Sequence, residues 1–178
     1  MYAIYADIYS LNPDVVVITE TFLSSKHSDS LFHIDGFITF RKDRPKRKGG
    51  GVCVLVRECL LPTLVDEKVF LEFSEALWLR LHFNGQRFLI CACYHPPRPK
   101  YPVDCFINYL DNNIDDLIDP SDAAFVLTGD LNQLPVTNLE IRHGLSQLVT
   151  SPTRSGHILD MFYTSRPDLF CFCNHLCC

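Results

Sequence analysis

The chain has 178 residues, 47% of them hydrophobic and 12% aromatic, enough to fill the core of one domain. It has no run of 18 apolar residues, which argues against a membrane-spanning helix, and Met1 to Leu11 offers neither a basic leader nor a cleavage site for a signal peptide. The net charge of −5 argues against a strong duplex binder, whose affinity would rest on neutralising phosphates. An intracellular protein is expected, and its nine cysteines do not read as a secreted disulfide framework. Cys53, Cys91 and Cys93 fall inside apolar runs, where free cysteine behaves as a small hydrophobe.

Residues 2–11 can form a short helix, ended by Asn12-Pro13. The nearly continuous β-branched run Asp14–Thr19 predicts a strand buried on both faces. A strand around Gly36–Arg41, a basic turn, and the triplet Gly49-Gly50-Gly51 leading into Val52–Arg57 together predict an antiparallel hairpin. Six of the eight residues from Arg41 to Lys48 are basic: Arg41, Lys42, Arg44, Lys46, Arg47 and Lys48. That octapeptide carries +5, so the remainder of the chain stands at −10 (−5 less +5). A basic prong on an acidic body fits local contact with nucleic-acid phosphates; a solvated hairpin tip fits equally well, and a nuclear-import patch is a third reading.

Ala76–Phe83 alternates Leu77, Leu79, Leu81 and Phe83 with Trp78, Arg80 and His82, the period of a strand. Asn84-Gly85 is a two-residue hairpin signal, Arg87–Tyr94 pairs back, and Pro96-Pro97 stops the sheet. Val103–Ile118 has helical spacing, Ala123–Thr128 reads as a second fully buried strand, and a short helix over Asn138–Leu145 and a strand at Ile158–Tyr163 follow. Hairpins mixed with helix-to-strand crossovers predict one α/β domain over residues 1–170 with mixed sheets. Residues 171–178 form a Cys-rich tail not expected to be structured.

Two buried strands end in polar residues, at Ile18-Thr19-Glu20-Thr21 and at Leu127-Thr128-Gly129-Asp130-Leu131-Asn132. Ligand sites gather outside strand ends, where the sheet holds a side chain firmly and leaves it open. On extended backbone, Asp130 and Asn132 would lie on one side, so that one can orient a water while the other donates to a phosphate oxygen. Tyr94-His95-Pro96-Pro97 closes another strand with an aromatic hydroxyl held by prolines. A turn or a half-buried tyrosine would explain each motif taken singly. His95, His143 and His157 read as surface or turn histidines, and Cys171, Cys173, His175 and Cys177 match no zinc-knuckle spacing.

In order, the segments Asn12–Thr21, Gly49–Arg57, Tyr94–Pro97, Leu127–Asn132, and Ser151–Arg154 with Ile158–Asp160 closely resemble one family. That family is the apurinic-endonuclease-like endonuclease domain of non-LTR (LINE-type) retrotransposons, within the endonuclease/exonuclease/phosphatase superfamily. The resemblance implies a four-layer α/β sandwich, with two mixed β-sheets face to face and helices outside. It implies a Mg²⁺-dependent endonuclease that cleaves DNA phosphodiester bonds, with Mn²⁺ as a substitute. Glu20 matches the metal-binding glutamate and Asp130 the aspartate that activates or positions the attacking water. Asn132 matches the asparagine that holds the phosphate, Tyr94 the tyrosine that helps stabilise the transition state, and Asp160 the aspartate that pairs with a catalytic histidine. The implied partners are DNA and a reverse-transcriptase module in the full element, with no membrane; a monomer and, for a working retroelement enzyme, a nuclear location are expected.

Two family elements are not found in the sequence: a first strand bearing an asparagine, and a Ser-Asp-His motif beyond Asp160. The expectation is a sandwich incomplete at its N- and C-terminal strands and a nuclease impaired or inactive as it stands. A non-catalytic remnant with weak nucleic-acid binding, or another phosphodiesterase or phosphatase of the superfamily, stays open beside it.

Overall fold

β-branched and aromatic runs in this chain pair into two sheets, and its amphipathic helices cover them. The computed structural model describes residues 2–28, 33–45, 49–72 and 74–170. Helix α1 (Tyr2–Leu11) leads into β1 (Val15–Thr19), followed by β2 (Phe37–Lys42), β3 (Val52–Arg57), a 3-10 turn at Glu58–Leu60 and β4 (Thr63–Leu64). Next come β5 (Glu75–Phe83), β6 (Gln86–Tyr94), α2 (Val103–Leu117), β7 (Asp122–Asp130), α3 (Thr137–His143), β8 (Ser146–Gln147), β9 (Asp160–Thr164) and a 3-10 turn at Pro167–Leu169.

One sheet has the order β1-β3-β2 and is antiparallel throughout; the other runs β4-β5-β6-β7-β9-β8 and is mixed, with β6 and β7 parallel. The β6–β7 crossover is α2, as parallel neighbours require. Alternation of side chains across each strand then builds three apolar layers. Ile8 of α1 packs with Phe37, Cys53 and Leu55 on the outer face of the small sheet. Val52, Val54 and Val56 meet Leu77, Leu79, Leu81 and Ile90 between the sheets. Trp78, Leu89, Cys91 and Phe125 face Phe106, Leu110 and Ile114 of α2. These layers give the expected α/β/β/α order. Each large side chain fully buried in this way contributes roughly 1.5–3 kcal/mol.

Two expectations change. β1 is half-buried along its whole length, because among the described residues it is an edge strand with a neighbour on one side only. β5 is buried on both faces, so Trp78, placed on the polar side by the alternation, is a core residue whose indole N–H donates to the Tyr109 hydroxyl at 2.9 Å. α2 forms as expected, and its only buried amide, Asn113, meets all of its bonding capacity: it accepts from the Lys68 and Val69 amides and donates to the Val69 and Tyr109 carbonyls. This one side chain ties the loop before β5 to the helix.

Candidate active site

Glu20 is the first residue after β1, and its backbone lies in the left-handed region at φ 53°. Such a conformation strains a residue with a Cβ and persists only where its surroundings impose it. Here the glycine triplet imposes it. The Phe22 amide donates to the Gly50 carbonyl at 2.9 Å, and a Cβ at Gly51 would collide with the Thr21 hydroxyl. The chain therefore reverses tightly over Gly50 and Gly51, and Glu20 projects from the reversal. Its Oε1 accepts the Tyr94 hydroxyl proton at 2.7 Å.

Tyr94 ends β6, and β6 lies beside β7, which ends at Asp130. The two strand ends are locked together. The His95 amide donates to the Asp130 carbonyl at 2.9 Å, and Asn132 Nδ2 donates to the His95 carbonyl at 2.7 Å. Gly129 is needed between them, since a Cβ there would fall on the Cys93 carbonyl. Asp130 Oδ1 accepts the Asn132 amide at 3.1 Å, closing a turn in which Asn132 adopts φ 50°. Asp130 and Asn132 therefore do not share an extended backbone, as the spacing suggested; the turn brings them together instead.

Asp160 pairs with Asp130 across the β7–β9 ladder, and Thr153 Oγ1 accepts both the Leu159 and Asp160 amides. Burial raises the Asp130 carboxyl above its ordinary range; the Asn132 amide opposes this, and the charges of Asp160 and Glu20 add to it. Burial, and then the bond to Glu20, push the Tyr94 hydroxyl far up, so it stays a proton donor. Glu20, Tyr94, Asp130, Asn132 and Asp160 thus meet at one end of the sheets.

The basic segment is built differently from a prong. Arg41 bonds Asp43 and the Ser24 and His27 carbonyls, Lys42 pairs with Glu67 at 2.8 Å, and Arg44 pairs with Glu75 at 2.5 Å. All three side chains are largely covered, so the solvated-tip reading fails for them. Of these three, Arg44 reaches the site, with its guanidinium 5.5 Å from the Tyr94 ring centre. Lys46, Arg47 and Lys48 lie outside the described residues, as does the tail from Cys171 to Cys178.

His95 and His143 are not surface histidines. The His95 ring is buried between Tyr101 and Phe106, its Nδ1 lies 3.0 Å from the Tyr101 hydroxyl, and burial lowers its pKa to about 4. The side chain of His143 is covered and bonded to Asp111 at 2.7 Å. His157 is exposed in a turn, as expected. Glu75 went unnoticed in the sequence. It is buried, bonds the Gly51 amide and Arg44, and pairs with Tyr94 across the β5–β6 ladder. The signal was its parity, since it shares a strand face with Leu77, Leu79 and Leu81 and so points between the sheets.

A family model described as the Endonuclease/Exonuclease/phosphatase family matches residues 3–171. The chain belongs to this family. No curated protein matches it by sequence at a significant level. Among solved structures it is similar to the AP endonuclease LMAP from Leishmania major, with TM-score 0.71 and 16% identity over 92% of this chain and 73% of that one. The human Nocturnin catalytic domain follows at TM-score 0.68 and 14% identity, again over 92% and 73%. The endonuclease domain of TRAS1, a telomere-specific non-LTR retrotransposon, gives TM-score 0.65 and 11% identity over 89% and 75%. At these identities the structural likenesses establish the fold alone.

Among the described residues, no group of three or more His, Cys, Asp or Glu side chains surrounds one cation position. The family chain nevertheless has a donor set of the right chemistry for a hard cation: the second oxygen of Glu20, beyond the one bonded to Tyr94, with Asp130 close enough to feel its charge. Mg²⁺ is commonly held by one or two carboxylates together with water and substrate phosphate.

Proposed function

We propose that this chain is a metal-dependent endonuclease domain of the non-LTR retrotransposon type, cleaving DNA phosphodiester bonds with Mg²⁺. The observation that carries the reading is the convergence of Glu20, Tyr94, Asp130 and Asn132 at adjoining strand ends. Glu20 would hold the cation, which supplies charge screening of the phosphate and stabilisation of the leaving oxyanion. Asp130, a carboxylate held close to Asn132 and partly withdrawn from solvent, takes a proton from the attacking water. Asn132, and Tyr94 once its proton turns from Glu20 to the substrate, donate to the phosphate oxygens as charge develops, each donor contributing about 3 kcal/mol by analogy with an oxyanion hole. The retroelement assignment is supported by the order of the sequence motifs; DNA is the proposed substrate, a reverse-transcriptase module the proposed partner, the nucleus the proposed location, and the working unit a monomer.

One observation favours a slow enzyme. Among the described residues no histidine bonds the Asp160 carboxylate, so none of them supplies an imidazolium to the leaving group there. Groups that act as a unit lose most of their rate together.

Supercoiled-plasmid nicking tests the reading. Weak nicking with Mg²⁺ is expected, absent with EDTA and lost in Glu20→Ala and Asp130→Ala. Nicking that survives both substitutions, or release of phosphate from a monoester in its place, would overturn it.

A further inference from the structure

Near the strand-end site, on the far side of the Arg44–Tyr94 contact, lies a pocket of about 180 Å³ lined by Arg44, Glu75, Pro96, Arg98, Lys100 and Tyr101. Its net formal charge is +2, three cations against Glu75, on a chain whose total is −5. The Glu75 carboxylate is already committed, with one oxygen to Arg44 and the other to the Gly51 amide. Arg44 bonds Glu75 through Nε, while its Nη2 is buried without a hydrogen-bond partner among the described residues. Neither Arg98 nor Lys100 has a carboxylate partner among the described residues, so both charges are available to an anion.

The wall that carries them is rigid. Prolines at 96, 97, 99 and 102 fix φ at four of seven positions, and Arg98 and Lys100 alternate between them. The loop is pinned from below, where the Tyr101 hydroxyl meets His95 Nδ1 at 3.0 Å and the Tyr101 ring packs on Phe106. A loop backbone ordered in advance reduces the entropy lost on binding, which favours a subsite. The pocket adjoins the catalytic residues through Tyr94, whose ring lies 5.5 Å from the Arg44 guanidinium and whose hydroxyl reaches Glu20.

We propose that this pocket is a second phosphate subsite, in which Arg44, Arg98 and Lys100 hold the backbone phosphate next to the one cleaved. The inference rests on the phosphodiesterase reading and deepens it. A site that grips two successive phosphates selects a polynucleotide interior over a phosphate monoester or a single-phosphate diester. Arg98 and Lys100 are then substrate-positioning residues whose removal raises KM and leaves kcat nearly unchanged.

The test is binding first. Fluorescence anisotropy of a labelled single-stranded oligonucleotide, titrated with salt, is compared for wild type, Arg98→Ala/Lys100→Ala and Arg98→Lys/Lys100→Arg. Loss of two of the three cations on that one phosphate should reduce the slope of log K against log salt by up to about 0.7, and the charge-conserving pair should restore it. In parallel, wild type and the alanine pair are assayed on bis(4-nitrophenyl) phosphate, a diester with no neighbouring phosphate, whose hydrolysis should not differ between them. An unchanged salt slope overturns the subsite, and so does an equal loss of activity on the small diester. Binding that falls as expected without any cleavage upholds the subsite and removes the nuclease reading. Cleavage with an unchanged slope does the reverse, and no binding by wild type rejects the subsite.

Discussion

At Asp130 the needs of folding and of chemistry oppose each other. Its carboxyl is raised mainly by burial, so the folded state favours the protonated form and the charged form weakens the fold. The sign follows from linkage: the destabilisation is full above the folded pKa and disappears as pH falls below the ordinary carboxylate value near 4. Asp130→Asn keeps an oxygen to accept the Asn132 amide but carries no charge. It is expected to abolish nicking and to raise Tm at pH 7.5, with the gain vanishing near pH 3.5; a Tm equal to or below wild type at pH 7.5 would refute the conflict. The acid limb of a nicking profile should likewise lie above the usual carboxylate range. Asp130 and Asn132 were legible because a Gly-Asp-x-Asn run after an apolar strand is a compact local signal. Glu75 was not, because its meaning depends on Arg44 and Gly51, neighbours some 30 and 24 positions away that only the fold supplies.

At the scale of elements, the structure is held by polar groups that close loops onto helices and strands. Asn113 satisfies four backbone groups at once. Asn113→Leu has similar volume but leaves those groups unbonded, and a loss of roughly 2–4 kcal/mol is expected in urea denaturation; a loss under 0.5 kcal/mol would show that water replaces the amide. His95 performs a related task for the proline loop. Its pKa is about 4 in the fold against 6.5 ordinarily, so the stability tied to its neutral form is complete above about pH 6.5 and is lost as pH falls through about 4. His95→Gln, which keeps an acceptor for Tyr101, should flatten the fall of Tm between pH 6.5 and 4.5; an unaltered fall would locate the titration elsewhere. The long strands and α2 were readable from periodicity, which persists over nine to fifteen residues. β4 and β8 have two residues each and show no period, since they exist only as pairings to β5 and β9.

At the scale of the molecule, the two sheets are unequal. The six-stranded sheet is covered by α2 and α3 on one face and by the small sheet on the other, whereas β1 borders open space among the described residues. A cleft of about 450 Å³ runs between the sheets past Val15, Val17, Phe88 and Phe170, and a groove of about 480 Å³ separates β1 from α1 along Ile4, Ile8 and Val16. The sequence showed an apolar β-branched strand there but could not show that its second neighbour is not among the described strands. An edge strand with voids on both faces makes few of the contacts that resist opening. Native-state hydrogen exchange should therefore release the amides of β1 at a lower opening free energy than those of β6 and β7, by at least about 2 kcal/mol given the spread typical between frayed and core elements. Because Glu20 is carried on the end of β1, every such opening also withdraws it from Tyr94 and Asp130. Tyr94→Phe, which removes that tether, should accelerate exchange in β1 and leave β7 unchanged. Equal protection of β1 and β7 in the native chain would mean that the small sheet is as firmly seated as the large one, and that Glu20 and Asp130 are held as a single rigid unit.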